Sequence, residues 1–190
     1  MRHITNLFLA ALTLLALTAN AQTQTVASPD GNIRVNFDLK AGKPYYNVDF
    51  HGKRVIRDSY LGLELNGQKD SGDFKNFDNK SSVSMNSLYD GFTLTDTQRA
   101  TFDETWQPVW GEESSIRNHY NEMAVTLRQS DFDRYIVVRF RVYDDGVGFR
   151  YEFPQQKNLN YFVIKEELTQ FAMPGDITAW WIGGDYDTQE

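Results

Sequence analysis

The stretch Ile136-Val137-Val138-Arg139-Phe140-Arg141-Val142-Tyr143-Asp144-Asp145-Gly146-Val147-Gly148-Phe149-Arg150-Tyr151-Glu152-Phe153 decides the fold. Ile136, Val138, Phe140 and Val142 fall on every second position, the spacing of one face of a β-strand. Arg139 and Arg141 occupy the opposite face, which is therefore solvated or paired with carboxylates. Asp144-Asp145-Gly146 is a strong turn signal. Val147, Phe149, Tyr151 and Phe153 then alternate on the way back, so the whole stretch predicts an antiparallel hairpin.

The same style extends in both directions. Ile33, Val35, Phe37 and Leu39 alternate with polar residues after the turn Ser28-Pro29-Asp30-Gly31. Ala41-Gly42-Lys43-Pro44 turns the chain into the alternating Tyr46, Val48 and Phe50, and His51-Gly52-Lys53 turns it again. A short Val55-Ile56 segment, the face Leu61, Leu63 and Leu65, and the face Met123, Val125 and Leu127 complete the central part. The polar run Asn66–Lys80 reads as an exposed loop. Phe162 and Ile164 open a later strand, and Ile177–Ile182 predicts another. No segment sustains a helical apolar period. Strands at short spacing separated by turns imply an all-β, antiparallel sandwich or barrel.

The chain has 190 residues, of which 41% are hydrophobic and 14% aromatic, enough for one ordinary domain and too apolar for a disordered one. Its net charge of -7 argues against nucleic acid as a partner and against electrostatic attachment to anionic lipid. With no cysteine, a disulfide framework, a thiolate zinc site and a cysteine nucleophile are all excluded. Arg2 and His3, the apolar run Leu7–Thr18 and the Ala19-Asn20-Ala21 site predict a signal peptide over residues 1–21, and hence a periplasmic protein beginning at Gln22. The apolar run is short for a membrane span of roughly 20 residues.

Carboxylates occur as Asp103-Glu104, Glu112-Glu113, Asp144-Asp145 and Glu166-Glu167, and as Asp185, Asp187 and Glu190. Sequence neighbours on a strand point to opposite faces, so adjacency alone does not make an acid–base pair. Asp185-x-Asp187-x-x-Glu190 offers hard oxygens suited to calcium, but lacks the length and glycine of a calcium-binding loop. His51 sits in a turn, and His119 is expected to be a hydrogen-bonded structural residue at the start of a strand. The run Trp106-Gln107-Pro108-Val109-Trp110-Gly111-Glu112 predicts a loop. Its two tryptophans either stack on sugar rings or, the favoured expectation, anchor the loop on the core.

Thr101–Glu112 (TFDETWQPVWGE), Ile116–Glu122 (IRNHYNE), Phe140–Phe153 (FRVYDDGVGFRYEF) and Tyr161–Glu167 (YFVIKEE) together resemble the N-terminal domain of glycoside hydrolase family 97, in particular its α-glucosidase branch. The resemblance covers nearly all of the chain after residue 21. It implies an antiparallel β-super-sandwich over residues 22–190, cut short at its C-terminal end. It also implies a (β/α)-barrel elsewhere in the polypeptide that performs catalysis, with calcium in its active site and α-linked oligosaccharides as substrates, α-glucosides or, in another branch, α-galactosides. By the same resemblance Gly184–Glu190 matches a segment whose final Glu reaches that calcium, making Glu190 the metal ligand. Gly183 stands where the family pattern leads one to expect proline. The chain alone is expected to lack hydrolytic activity. Two other readings remain open from the residues: a free-standing carbohydrate-binding sandwich using Trp106 and Trp110, and a structural or adhesive β domain.

Overall fold

The computed structural model describes residues 23–66, 83–178 and 180. Three antiparallel sheets make up the fold, and no α-helix occurs among the described residues. The first sheet contains β1 (Gln24–Ala27), β2 (Ile33–Lys40), β3 (Lys43–Phe50) and β4 (Lys53–Tyr60), in that order. The second has the order β10-β9-β8-β7, with β7 Phe92–Trp106, β8 Ile116–Gln129, β9 Arg134–Val142 and β10 Val147–Glu152. A small third sheet runs β11-β5-β6, from Val163–Glu167, Leu63–Asn66 and Ser87–Leu88. The expected hairpin is present: Phe149 pairs with Phe140, and Val147 with Val142 across the Asp144-Asp145 turn.

The inward faces are the alternating sets read from the sequence. Val35 and Phe37 of β2, Tyr46 and Val48 of β3, Met123, Val125 and Leu127 of β8, and Ile136, Val138, Phe140 and Val142 of β9 are all buried. The Phe140 ring packs 6.2 Å from Phe37 and 6.1 Å from Tyr46, centre to centre, so these rings join the first and second sheets. Leu61, Leu63, Leu65 and Leu88 bring the third sheet into the same core. Burying each such side chain contributes about 1.5–3 kcal/mol relative to exposure.

Tight turns hold the register. Ala41 and Gly42 have φ of 50° and 76°, and His51 and Gly52 have 47° and 73°. Positive φ at both central residues is the two-residue hairpin turn whose twist matches its strands. His51 thus serves the backbone of a turn, as expected. At the end carrying the Asp144 turn, Asp30 N–H donates to the Asp144 carboxylate at 2.9 Å, tying the β1–β2 turn to the β9–β10 turn.

Three expectations need correction. β4 spans eight residues, not a brief Val55-Ile56 segment. It is a mostly exposed strand rich in charge, so its apolar alternation is weak while its pairing with β3 is real. Trp106 closes the long strand β7 and does not lie in a loop. Ile177 and Thr178 are irregular, so no strand begins there; residues 181 and 182 lie outside the described residues, as do the signal segment, residues 67–80 of the expected loop, and Asp185, Asp187 and Glu190.

Candidate functional site

Strand alternation places Glu122, Arg139, Arg141, Arg150 and Glu152 together on the outer face of the second sheet. Arg139 donates to Glu152 through Nε at 2.7 Å and Nη2 at 2.9 Å, and also to Glu122. Arg141 Nε donates to the other Glu122 oxygen at 2.8 Å, and Arg150 Nε to Glu152 at 2.7 Å. The opposite-face arginines are therefore paired with carboxylates, one of the two alternatives their spacing allowed. Gly148 leaves a shallow groove of about 170 Å³ beside Arg139, Arg141, Tyr143 and Arg150.

This network fixes protonation. Hydrogen bonds from Arg139 hold the Glu152 carboxyl down at about 2, against the partial burial that would raise it. Burial pushes Glu122 upward, but the bonds from Arg141 and Arg139 outweigh it and keep that carboxyl below its ordinary value. Asp103 is held down by its hydrogen bonds from Arg117. A glycosidase general acid needs the opposite, a carboxyl that keeps its proton near neutrality. The network carboxylates are ionised clamps.

One member of each of three adjacent carboxylate pairs is separately engaged. Asp103 makes a two-point bond to Arg117 at 2.9 and 2.8 Å, while Glu104 lies on the opposite face. Asp144 binds the Asp30 N–H, and Glu167 accepts from the Thr169 hydroxyl at 2.7 Å. Among the described residues no group of three His, Asp or Glu side chains could hold a metal ion. His119 lies near the start of β8, as expected, but departs from expectation in that its Nδ1 is buried with no hydrogen-bond partner.

The tryptophans also depart from the favoured expectation. From Gln98 to Trp106 every residue of β7 is exposed; Arg99 and Asn121 bind β1 at its base, and beyond Thr101 the β7–β8 ribbon continues as an arm. Trp106 is 47% exposed, Val109 99% and Trp110 88%. Neither tryptophan is anchored on the core. On the polar face of the arm Asp103 is bound to Arg117 and the Thr101 hydroxyl donates to Asn121 at 2.8 Å. On the other face Phe102 stacks on Tyr120 at 5.3 Å, Arg141 lies over Tyr120 at 4.5 Å, and Tyr120 meets Tyr143 at 5.2 Å.

A strap formed by residues 168–172 runs beside β4 toward the C-terminal segment. Leu168 N–H donates to Gly62 O, Gln170 N–H to Tyr60 O, and Arg57 N–H to Ala172 O, at 2.9, 3.0 and 2.7 Å. Tyr46 donates its hydroxyl proton to Gln170 O at 2.9 Å, and the Tyr151 hydroxyl oxygen accepts from Gly62 N–H at 2.9 Å while contacting Thr169 Oγ1 at 2.8 Å. Burial pushes both phenols up to about 12, so they remain protonated and serve as hydrogen-bonding posts. None of this strap was read from the sequence; Tyr46 and Tyr151 on inward faces were its only visible signal, because buried phenols need partners.

The described residues thus form an antiparallel sandwich on whose outer face Glu122 and Glu152 are ionised clamps. The chain belongs to the glycosyl-hydrolase 97 N-terminal family, which it matches over residues 26–190. It is 29% identical over 179 residues to a retaining alpha-galactosidase of Bacteroides thetaiotaomicron, covering 94% of this chain and 23% of that protein. It is 27% identical to a probable retaining alpha-galactosidase of Streptomyces bingchenggensis, covering 93% and 26%. Among solved structures it resembles a glycoside hydrolase family 97 enzyme of Pseudoalteromonas sp. strain K8, solved with panose and with acarbose, at 34% identity and a TM-score of 0.67 over 79% of this chain and 20% of that one. The chain thus spans about a quarter or less of the length of these relatives.

Proposed function

We propose that this chain is the supporting N-terminal domain of an exported, calcium-dependent α-glucosidase acting on α-linked gluco-oligosaccharides, with the hydrolytic carboxylates on another part of the same polypeptide. The observation that carries the reading is the family match over residues 26–190. The choice of glucosides is supported by the 34% identity to the enzyme solved with panose and with acarbose. Export is supported by the Ala19-Asn20-Ala21 site after an apolar run, and gives a mature chain starting at Gln22.

The donor chemistry of this chain bears on calcium in a limited way. The described residues hold no group of three metal-binding side chains, so they do not form a site by themselves. Glu190, outside them, is a hard oxygen donor of the kind calcium takes, and it would supply one of the roughly six to eight oxygens required. When bound, such an ion stabilises negative charge on oxygen near a scissile bond.

The test uses the complete polypeptide. It should hydrolyse an aryl α-glucoside faster than the matching α-galactoside, and the reverse preference would refute the glucosidase choice. Glu190→Gln should weaken calcium binding in titration calorimetry with the fold intact by circular dichroism. Unchanged calcium affinity would remove Glu190 from the site.

A second reading is favoured by one observation, the exposure of Trp106 and Trp110. It makes the chain a carbohydrate-binding sandwich with these rings as a stacking platform. Binding of maltotriose to the 190-residue chain, lost on Trp110→Ala, would support it over the first.

A further inference from the structure

We propose that the pocket between the start of β3, the end of β4 and the strap is a binding site for one hexopyranose ring of a neutral saccharide. Lys43, Tyr60, Leu61, Tyr89, Leu168 and Gln170 line it, and its volume is about 250 Å³. Pockets for drug-sized ligands run to ~300–1,000 Å³, so this one admits a single ring and not a chain. Its walls are fixed by bonds already present in the fold. Tyr60 ends β4, and its ring meets that of Tyr45 at 4.9 Å. Leu61 N–H donates to Pro44 O at 3.0 Å, and Leu168 and Gln170 are held by the strap bonds to Gly62 and Tyr60. Tyr89 follows β6 and is held by a buried polar clamp. Gln129 Nε2 donates to Ser87 O at 3.0 Å and to Asp90 O at 2.9 Å, while Arg134 donates to Met85 O at 2.9 Å and to Ser87 O at 3.1 Å. Gln129 is 0% exposed and Arg134 2%. Burying a guanidinium on an amide and backbone carbonyls is costly, and what it secures here is the course of Met85–Asp90 and hence the Tyr89 wall. Gly62 completes the seat, since a Cβ there would lie 2.4 Å from the Tyr89 Cβ.

The lining chemistry selects among ligands. Two tyrosines and two leucines present apolar surface, which suits the C–H face of a pyranose and not a small hydrated ion. Lys43 brings three donors and no acceptor, and the Gln170 amide brings both kinds. A sugar hydroxyl both donates and accepts, so an ammonium and an amide on one rim can orient it. A carboxylate ligand would be served by donors alone, above all by the planar fork of an arginine, and no arginine lines the pocket. No Asp or Glu lines it either, and among the described residues Lys43 makes no ion pair, so its ammonium is open to a ligand oxygen. Trp106 and Trp110 take no part in the lining, so this site is separate from the exposed tryptophans. The choice of glucose as the probe rests on the glucosidase reading; the chemistry of the pocket does not.

The experiment is lysine acetylation of the complete polypeptide, read residue by residue by peptide mass spectrometry, with glucose as the added ligand and an aryl-glycoside assay run in parallel. At about ten times the half-protecting glucose concentration, one-site occupancy should slow acetylation of Lys43 about tenfold. Lys53, exposed at the start of β4, should react at an unchanged rate. Tyr89→Ala should raise the half-protecting concentration about tenfold through loss of one stacked ring, while Tyr89→Phe should keep it. Gln170→Ala leaves the backbone bonds of the strap in place and should raise it too, which serves where Tyr89→Ala fails to fold. Absence of glucose protection at Lys43 overturns the proposal. So does protection by glucuronate at lower concentration than by glucose, which assigns the pocket to carboxylates. So does a Lys43 that reacts in the unfolded chain but not in the folded one before sugar is added, which assigns the pocket to the rest of the polypeptide. Half-protection unmoved by both Tyr89→Ala and Gln170→Ala overturns it as well. A complete polypeptide that hydrolyses neither α-glucosides nor α-galactosides refutes the enzymatic reading alone, and protection of Lys43 by glucose would stand beside that result.

Discussion

Glu122→Gln isolates what the arginine–carboxylate clamp contributes. The substitution keeps size and one acceptor oxygen but removes the charge shared by Arg139 and Arg141. A hydrogen bond to a charged group contributes ~1.5–3 kcal/mol. Two reductions apply. Arg139 keeps its two-point bond to Glu152 at 2.7 and 2.9 Å. The Arg141 side chain is 37% exposed, so water screens its loss toward the ~1 kcal/mol of a surface pair. The expected destabilisation is about 2 kcal/mol, which for a domain of this size corresponds to a fall in melting temperature of roughly 4–8 °C.

Acid dependence gives the same prediction a second handle. The folded Glu152 carboxyl sits at about 2 against an ordinary 4.5, and Glu122 is also depressed. A depressed carboxyl contributes stability that is complete above its unfolded value and disappears as pH falls through its folded value. The wild-type chain should therefore lose stability as pH drops from about 5 toward about 2, and Glu122→Gln should lose less over that window. Thermal unfolding by circular dichroism at moderate salt, at a series of pH values, reads both effects. A shift below about 1 °C at neutral pH would reduce the clamp to an ordinary surface ion pair. A full difference persisting near pH 2 would show that charge is not what Glu122 supplies.

Phe140→Ala removes a fully buried ring between Phe37, Tyr46 and Phe149 and should cost about 3–5 kcal/mol, measured by denaturant unfolding; a loss below about 1 kcal/mol would mean that the two sheets are not joined there. Tyr151→Phe leaves the Gly62 N–H without its acceptor and should destabilise by ~1–3 kcal/mol while raising amide exchange at Leu168 and Gln170, with unchanged exchange counting against the strap. Gly42→Ala puts a side chain at φ 76° within 3.2–3.3 Å of Gly91 and Phe92 backbone, and should cost at least ~1–2 kcal/mol by the same unfolding assay, whereas a neutral outcome would place that turn elsewhere.

Much of the sandwich was legible because its central strands bury only one face. Ile136–Val142 and Ile33–Phe37 alternate cleanly, and their burial follows the alternation residue by residue. β7 was not legible for the opposite reason. With every residue of Gln98–Trp106 exposed, little selects apolar residues at every second position, and pairing with β8 makes it a strand. The tryptophans were misplaced by the general tendency of large aromatics to be buried, which fails on an arm that leaves the core. The start of the expected strand at Ile177 was misread because a short apolar run carries no partner information. Arg139 and Arg141 announced a charged face, but Glu122 and Glu152 could not be named as their partners, since cross-strand pairing is set by register and not by sequence distance.

The anchoring pattern explains how a domain with no acid–base centre among its described residues can still bear on chemistry. Asn121 Nδ2 donates to Ala27 O at 2.9 Å, and Arg99 Nη2 to Gln24 Oε1 at 3.0 Å, so β1 is bound to the base of the arm. The strap is bound to β4 and to Tyr46 and Tyr151 from the sandwich, and the chain that leads on to Glu190 leaves from its end. A ligand contributed across domains is useful only if its carrier cannot drift, because an error of about 1 Å in a reacting geometry can cost two orders of magnitude in rate. Rigid elements supply that constancy better than loops do. On the proposed reading, the core, the Arg139 clamp and the buried phenols act together as a frame. The frame fixes where the segment toward Glu190 starts. Substitutions in the frame should therefore lower stability first and disturb calcium binding only secondarily, whereas Glu190→Gln should do the reverse.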